Sequence, residues 1–182
     1  MENPLSHNLI ETNIEQKLDD VKTRALQMSA VKGILNEIEL ILKRQEVGES
    51  NQHDADYLEE LRKAVDESSV IVQSLAEFRI LVSKTIGKFN TNNVDRVIAH
   101  ENAHANVIEA EGAHFLGYRL LVVKNDVTGS SFSYRPGVKY DSPEDWDTER
   151  KQKASINILS APEDYGDRLS DSDQERLDRL KK

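Results

Sequence analysis

The chain has 182 residues, which is room for one ordinary domain with an extension or for two small modules. Its net charge of −9 argues against the phosphate backbone of a nucleic acid as the main ligand, and the absence of cysteine excludes disulfides, thiolate metal sites and cysteine nucleophiles. The sequence shows neither a secretory signal nor the roughly 20 consecutive apolar residues that a membrane span requires. We therefore expect a cytoplasmic protein that does not cross a membrane.

The first half of the chain predicts two long amphipathic helices. Apolar residues recur at steps of three and four over residues 14–44 and again over residues 57–86. The polar stretch between them predicts a turn, with the N-cap of the second helix at Asp54 or Asp56. Two such helices most simply form an antiparallel, coiled-coil-like hairpin over residues 1–90, which serves as a packing arm or as a surface for a protein partner or self-association.

The second half predicts a mixture of helices and strands. The run NTNN at residues 90–93 predicts the start of a helix that ends before Gly112. Residues 115–124 (FLGYRLLVVK) are rich in β-branched and aromatic types and predict a strand, and one or two shorter strands are predicted around Pro136 and Gly137. We therefore expect an α+β fold, mostly α, with a short β-sheet.

Two further helices are predicted towards the C-terminal end of the sequence. Ser142 and Pro143, followed by two acidic residues, have the pattern of a helix start, and this helix is expected to end before Ala161 and Pro162. Ser170 or Asp171 is expected to cap a last short helix.

One of the predicted helices carries a motif with metal chemistry. His100-Glu101-Asn102-Ala103-His104 has the form H-E-x-x-H. Side chains four residues apart lie on one face of a helix, so the two imidazoles are placed to bind one zinc ion, while the glutamate is left to act as general base. The motif therefore predicts a site for zinc-dependent hydrolysis.

The helical phase places Glu101 among apolar side chains. At about 100° per residue, Glu101 falls within the arc that Val94, Ile98 and Ile108 form, and His104 lies at the edge of this arc. A carboxylate on a buried face costs several kcal/mol unless a positive charge compensates for it. No basic residue of the same helix lies within the arc, so a zinc ion or a salt bridge is expected to supply that charge.

The residues alone leave the third protein ligand open. A catalytic zinc ion usually has three protein ligands and a water molecule. The candidates are carboxylates of the C-terminal segment, namely Glu163, Asp164, Asp171 and Asp173, with His114 as a further alternative.

Residues 94–182 resemble the protease domain of FtsH-type AAA+ zinc proteases. The shared features, in order, are the helix with HENAHA, the strand with a Leu-Gly-Tyr step, an acidic Pro-Glu-Asp segment, an amphipathic helix, and a final helix opened by Ser and Asp. The resemblance implies a zincin-like metallopeptidase module over residues 91–182, Zn²⁺ as the cofactor, and Asp173 as the third ligand. The chain departs from the family at Asn102-Ala103, and the sequence contains neither a P-loop nor an ATPase module.

Two hypotheses about function follow. The first is a zinc-dependent metallopeptidase that hydrolyses a peptide or an unstructured protein, with zinc held by His100, His104 and a downstream acid. The alternative is a non-catalytic interaction module that binds a partner through the helical hairpin and contains a structural metal or none. The first predicts that hydrolysis depends on Glu101, and the alternative predicts that replacing Glu101 affects stability alone.

Overall fold

The computed structural model of the chain describes residues 4–27, 31–46, 48–49, 51–88, 92–125 and 131–181. In chain order, these ranges contain α1 (Pro4–Gln27), α2 (Val31–Glu46), α3 (Gln52–Glu67), β1 (Ser69–Val72), α4 (Leu75–Thr85), α5 (Asn92–Glu111), β2 (His114–Lys124), β3 (Phe132–Asp141), α6 (Thr148–Asp164) and α7 (Asp171–Leu180). The three strands form one antiparallel sheet in the order β1-β2-β3, so the predicted α+β, mostly α class is confirmed. None of the helices in these ranges combines the length and the apolar character that a bilayer crossing requires.

Backbone contacts divide the chain into two compact units. The first unit consists of Met1–Val70 and Leu120–Arg135, and the second unit consists of Ile71–Arg119 and Pro136–Lys182. The sequence pattern instead predicts a division near residue 90, and that division stays a prediction about which parts fold independently.

In the first unit, the predicted apolar stripe is the buried face of α1. Ile14, Leu18, Val21 and Ala25 are each at most 5% exposed. The later part of the helix predicted over residues 14–44 corresponds to α2. Residues 28–30, between α1 and α2, lie outside the described ranges.

The helices α2 and α3 pack together within the first unit. Ile41 of α2 forms a buried cluster with Leu58 and Leu61 of α3. The predicted N-cap of α3 at Asp54 or Asp56 is wrong, because Asn51 is the cap and Asp54 is the acid that completes its capping box. The side-chain amide oxygen of Asn51 therefore accepts the hydrogen bond from the Asp54 N–H.

The prediction of one continuous helix over residues 57–86 is wrong. The helix α3 ends at Glu67, strand β1 follows, and α4 begins after Ser74, which forms a capping box with Glu77. The segment Ser69–Val72 reads SVIV, and its β-branched residues pair with a neighbouring strand in place of continuing the helix. The spacing of the apolar residues fits a helix through this segment, but the strand pairing overrides it.

In the second unit, α5 has the predicted start and end. It begins at Asn92 and ends before Gly112, whose φ of +82° lies in the left-handed region. The Gly112 N–H donates to the Glu109 carbonyl, and the Ala113 N–H donates to the Ile108 carbonyl, which together form a Schellman motif. Ile108 and Ala113 then pack with Ile158 in the core of this unit.

The helix α6 differs from its prediction at both ends. Ser142 and Pro143 precede a turn, in which the Trp146 N–H donates to the Pro143 carbonyl, and the N-cap is Asp147. At the other end the helix passes through Pro162 and continues to Asp164. Asp147, five residues downstream of Ser142, is thus the cap in place of the Ser-Pro start, and Pro162 does not terminate the helix.

The start of α6 is tied to the end of α5. The Arg150 guanidinium donates to the Glu111 carboxylate at 2.7 Å and to the Glu111 carbonyl at 2.6 Å. It also lies 4.4 Å from the centre of the Trp146 ring. Asn157, about two helical turns further along α6, donates to the same carboxylate at 2.6 Å. These contacts fix α6 against the helix that carries the H-E-x-x-H motif.

Candidate metal centre

The two histidines of the motif face the same point in the second unit. His100 and His104 lie one turn apart on α5 and are 9% and 4% exposed. Their rings meet edge to face, and the two Nε2 atoms are 3.3 Å apart. The spacing of four residues therefore brings two ligand nitrogens together, as expected for one face of a helix.

A carboxylate from the first turn of α7 lies next to the two imidazoles, and we call His100, His104 and this residue, Asp173, the cluster. Asp173 Oδ2 lies 3.1 Å from His100 Nε2 and 3.5 Å from His104 Nε2. Its position is fixed by the N-cap Ser170, whose hydroxyl accepts from the Asp173 N–H and donates to Asp173 Oδ2. The predicted helix start at Ser170 thus places the carboxylate that the family resemblance implies.

Each imidazole has a partner on its other nitrogen. His104 Nδ1 lies 2.7 Å from the Ile158 carbonyl oxygen, and His100 Nδ1 lies 3.0 Å from Asp167 Oδ2. A carbonyl oxygen only accepts, so His104 Nδ1 carries the proton, and a neutral His104 has its lone pair on Nε2. Metal-binding histidines in proteins usually have this arrangement, because the second hydrogen bond fixes the ring and its tautomer.

The acceptor for His100 is positioned by the end of α6. Gly166 has a φ of +80°, which lies in the left-handed region, and its N–H donates to the Glu163 carbonyl. The N–H of the next residue, Asp167, donates to the Pro162 carbonyl, which completes a Schellman motif. The chain reversal at Gly166 therefore brings the Asp167 carboxylate to His100.

The three ligand atoms fit a zinc ion. A tetrahedral zinc ion with bonds of about 2.0–2.1 Å holds neighbouring ligand atoms about 3.3 Å apart. The separations here are 3.1, 3.3 and 3.5 Å. Two imidazoles and one carboxylate are a donor set of catalytic zinc sites, and the hydrogen bonds on both Nδ1 atoms leave the Nε2 atoms for the metal. His100, His104 and Asp173 are accordingly a group that could hold a metal ion.

The charges of the cluster depend on one another. Burial of the His100 imidazole disfavours its charged form, but hydrogen bonds with Asp173 and Asp167 outweigh burial and raise the pKa of His100 to about 8. Burial also disfavours the charged form of Asp173, yet hydrogen bonds with His100 and Ser170 and the nearby His104 imidazole hold the pKa of its carboxyl far below the usual range. In the metal-free protein, a protonated His100 therefore supplies a positive charge between the carboxylates of Asp167 and Asp173.

The glutamate of the motif is buried beside the cluster. Glu101 is 6% exposed, as its place in the apolar arc predicts. Burial raises the pKa of its carboxyl to about 7, against the opposing electrostatic effect of His104, His100 and Arg119. A carboxyl group with a pKa near 7 gains and loses a proton readily at neutral pH, which is what a general base requires.

The alternative third ligands lie elsewhere in the second unit. Glu163, Asp164 and Asp171 are exposed, and His114 is an exposed residue at the start of β2. Of the carboxylates considered, the structure brings Asp173 to within 3.5 Å of both Nε2 atoms.

Three groups that contact or surround the cluster are not predicted from the sequence. Asp167 and the Ile158 carbonyl contact the histidines from α6 and the turn after it, and Arg119 adds a positive charge near Glu101 from β2. A helix-ending glycine directly before Asp167 is a signal that could have directed attention to that residue. The carbonyl and the arginine have no sequence signal, because both depend on how separate elements pack.

Comparison of the chain with protein-family models, with curated proteins and with solved structures finds no match.

Proposed function

We propose that the protein is a zinc-dependent metallopeptidase, with zinc held by His100, His104 and Asp173 and with Glu101 as general base. The observation that carries the proposal is the convergence of three ligand atoms at 3.1–3.5 Å beside a buried glutamate on the same helix. Each imidazole also has an outer acceptor that directs its Nε2 to the cluster.

The protein residues would divide the chemistry between them. A zinc ion bound to this cluster supplies Lewis acidity, which polarises a carbonyl group and makes water a nucleophile near neutral pH. The Glu101 carboxylate, buried beside the cluster, takes the proton that the attacking water loses. The same carboxyl group then donates this proton to the leaving amine. Asp167 and the Ile158 carbonyl hold the two imidazoles in the orientation that binding requires.

The proposed substrates are peptides and unstructured proteins. The sequence contains no P-loop, and the proposal is therefore restricted to hydrolysis that does not depend on ATP. Chains that are already unfolded present their peptide bonds without an unfolding step.

Metal analysis and one substitution test the proposal. Protein purified without chelators is expected to contain about one zinc ion per chain, and Glu101→Gln is expected to retain the zinc and to lose hydrolysis of fluorescently labelled casein. The control is Glu109→Gln, which removes an exposed carboxylate from the same helix and is expected to leave hydrolysis unchanged. Absence of zinc would refute the metal centre. Bound zinc without casein or peptide hydrolysis would favour the interaction module.

A matched pair of substitutions tests the third ligand. Asp173→Asn removes the charge next to both imidazoles and is expected to weaken zinc binding at least tenfold. Asp171→Asn removes an exposed carboxylate from the same turn of α7 and is expected to leave the zinc Kd unchanged. Equal zinc affinities of the two variants would show that Asp173 is not a ligand.

A further inference from the structure

A proline lies inside the last two turns of α6. In a regular helix the N–H of residue 162 would donate to the carbonyl of residue 158, four positions earlier. Residue 162 is Pro162, which has no N–H, so the Ile158 carbonyl lacks its helical donor. This is the carbonyl that accepts the hydrogen bond from His104 Nδ1 at 2.7 Å.

Two further observations argue that this coincidence has a role. Pro162 and Ile158 are both buried, and a buried carbonyl without a donor is unfavourable, so the freed oxygen needs a partner from another element. A proline ring inside a helix also clashes with the carbonyl four residues earlier and displaces it from the helix axis. Both effects favour a hydrogen bond with a side chain outside the helix, which here is His104.

The usual structural role of a proline does not account for Pro162. A proline near a helix end commonly marks where the helix stops, yet α6 continues to Asp164. Its end is formed by the Schellman motif around Gly166, which uses the Pro162 carbonyl and not the proline ring.

We propose that Pro162 is a positioning residue of the metal centre: by withholding the helical N–H, it leaves the Ile158 carbonyl to His104 and so fixes the His104 tautomer with Nε2 free to bind the metal. This inference rests on the metal centre of the proposed function. It concerns how the centre is built and holds whether or not the protein hydrolyses peptides.

The substitution Pro162→Ala tests the inference because it restores the N–H and favours a regular helix. The variant is expected to bind zinc about tenfold more weakly. Loss of the hydrogen-bond partner of a metal-binding histidine typically weakens metal binding by about 10- to 100-fold, and this expectation is the lower end of that range. Its midpoint of urea unfolding without metal is expected to stay the same or to rise, since alanine is the better helix former. Pro143→Ala, at the turn before α6, is the control and is expected to leave the zinc Kd unchanged.

A chemical rescue separates the missing N–H from the shape of the side chain. N-methylalanine at position 162 resembles alanine but has no N–H, so it is expected to restore the zinc Kd of the unsubstituted protein. Residues 161–182 can be ligated to the preceding part of the chain through a temporary cysteine at position 161. Because the chain contains no cysteine of its own, desulfurisation then converts this residue alone, and the product has the natural Ala161. Equal zinc affinities of the alanine and N-methylalanine proteins would overturn the inference.

The tautomer of His104 gives a second readout that needs neither zinc nor activity. In ¹⁵N NMR spectra of the metal-free protein, His104 is expected to carry its proton on Nδ1, and Pro162→Ala is expected to add the tautomer protonated on Nε2. If neither the tautomer nor the zinc Kd changes in this variant, the inference is wrong. If the unsubstituted protein binds no zinc, the metal centre and the inference both fail; if it binds zinc without hydrolysing peptides, the proposed function alone fails.

Discussion

Replacing Glu101 with glutamine is expected to stabilise the metal-free fold while it abolishes hydrolysis. Burial raises the pKa of the Glu101 carboxyl from its ordinary value of 4.5 to about 7. The folded protein therefore holds a proton that the unfolded chain releases, and stability is lost as the pH rises from about 4.5 through about 7. At about 1.4 kcal/mol per pKa unit, the loss at pH 8 is about 3 kcal/mol. Glutamine is neutral at every pH and does not incur this loss.

Urea unfolding in the presence of a chelator measures the effect. The free energy of unfolding of Glu101→Gln is expected to exceed that of the unsubstituted protein by about 2–3 kcal/mol at pH 8, and by about 1 kcal/mol or less at pH 5. Glu109→Gln on the exposed side of α5 is the control for the loss of one negative charge. A difference that is the same at both pH values would refute the argument, because it would show that Glu101 ionises alike in the folded and unfolded chains.

Two other predictions concern the ligand cluster and the tie between the helices. Zinc must displace the proton of His100, whose pKa is about 8 without metal. The zinc affinity is therefore expected to fall about 50-fold from pH 8 to pH 6. Equal zinc Kd values at the two pH values would contradict a protonated His100. Arg150→Lys keeps the charge but loses the paired hydrogen bonds to Glu111 and the planar contact with Trp146. This substitution is expected to lower the free energy of unfolding by about 1 kcal/mol and to change the fluorescence of the single tryptophan. If neither quantity changes, the contacts of Arg150 with Glu111 and Trp146 do not contribute to stability.

The parts of the fold that sequence predicts correctly are those that local chemistry determines. The limits of α5 follow from Gly112 and from its apolar pattern, and the start of α7 follows from the Ser170 cap. The burial of Glu101 follows from the helical phase. In each case the signal lies within a few residues of the feature that it predicts.

The parts that sequence does not predict depend on contacts between distant residues. The strand β1 lies within an apolar pattern that also suits a helix, and pairing with β2 decides between them. The Ile158 carbonyl and Asp167 are 54 and 67 positions away from the histidines they contact. Their roles depend on how α6 packs against α5, and no local pattern encodes that packing.

One carboxylate serves both the metal cluster and the first turn of α7. Asp173 Oδ2 accepts from the Ser170 hydroxyl at the helix cap and also faces both imidazoles. Fraying of α7 therefore moves this carboxylate away from the imidazoles, although His100, 73 positions earlier in the chain, stays in place on α5. The buried Leu177 is the apolar contact that opposes this fraying. Release of a metal from the proposed site is therefore expected to follow the opening of the ten-residue helix α7.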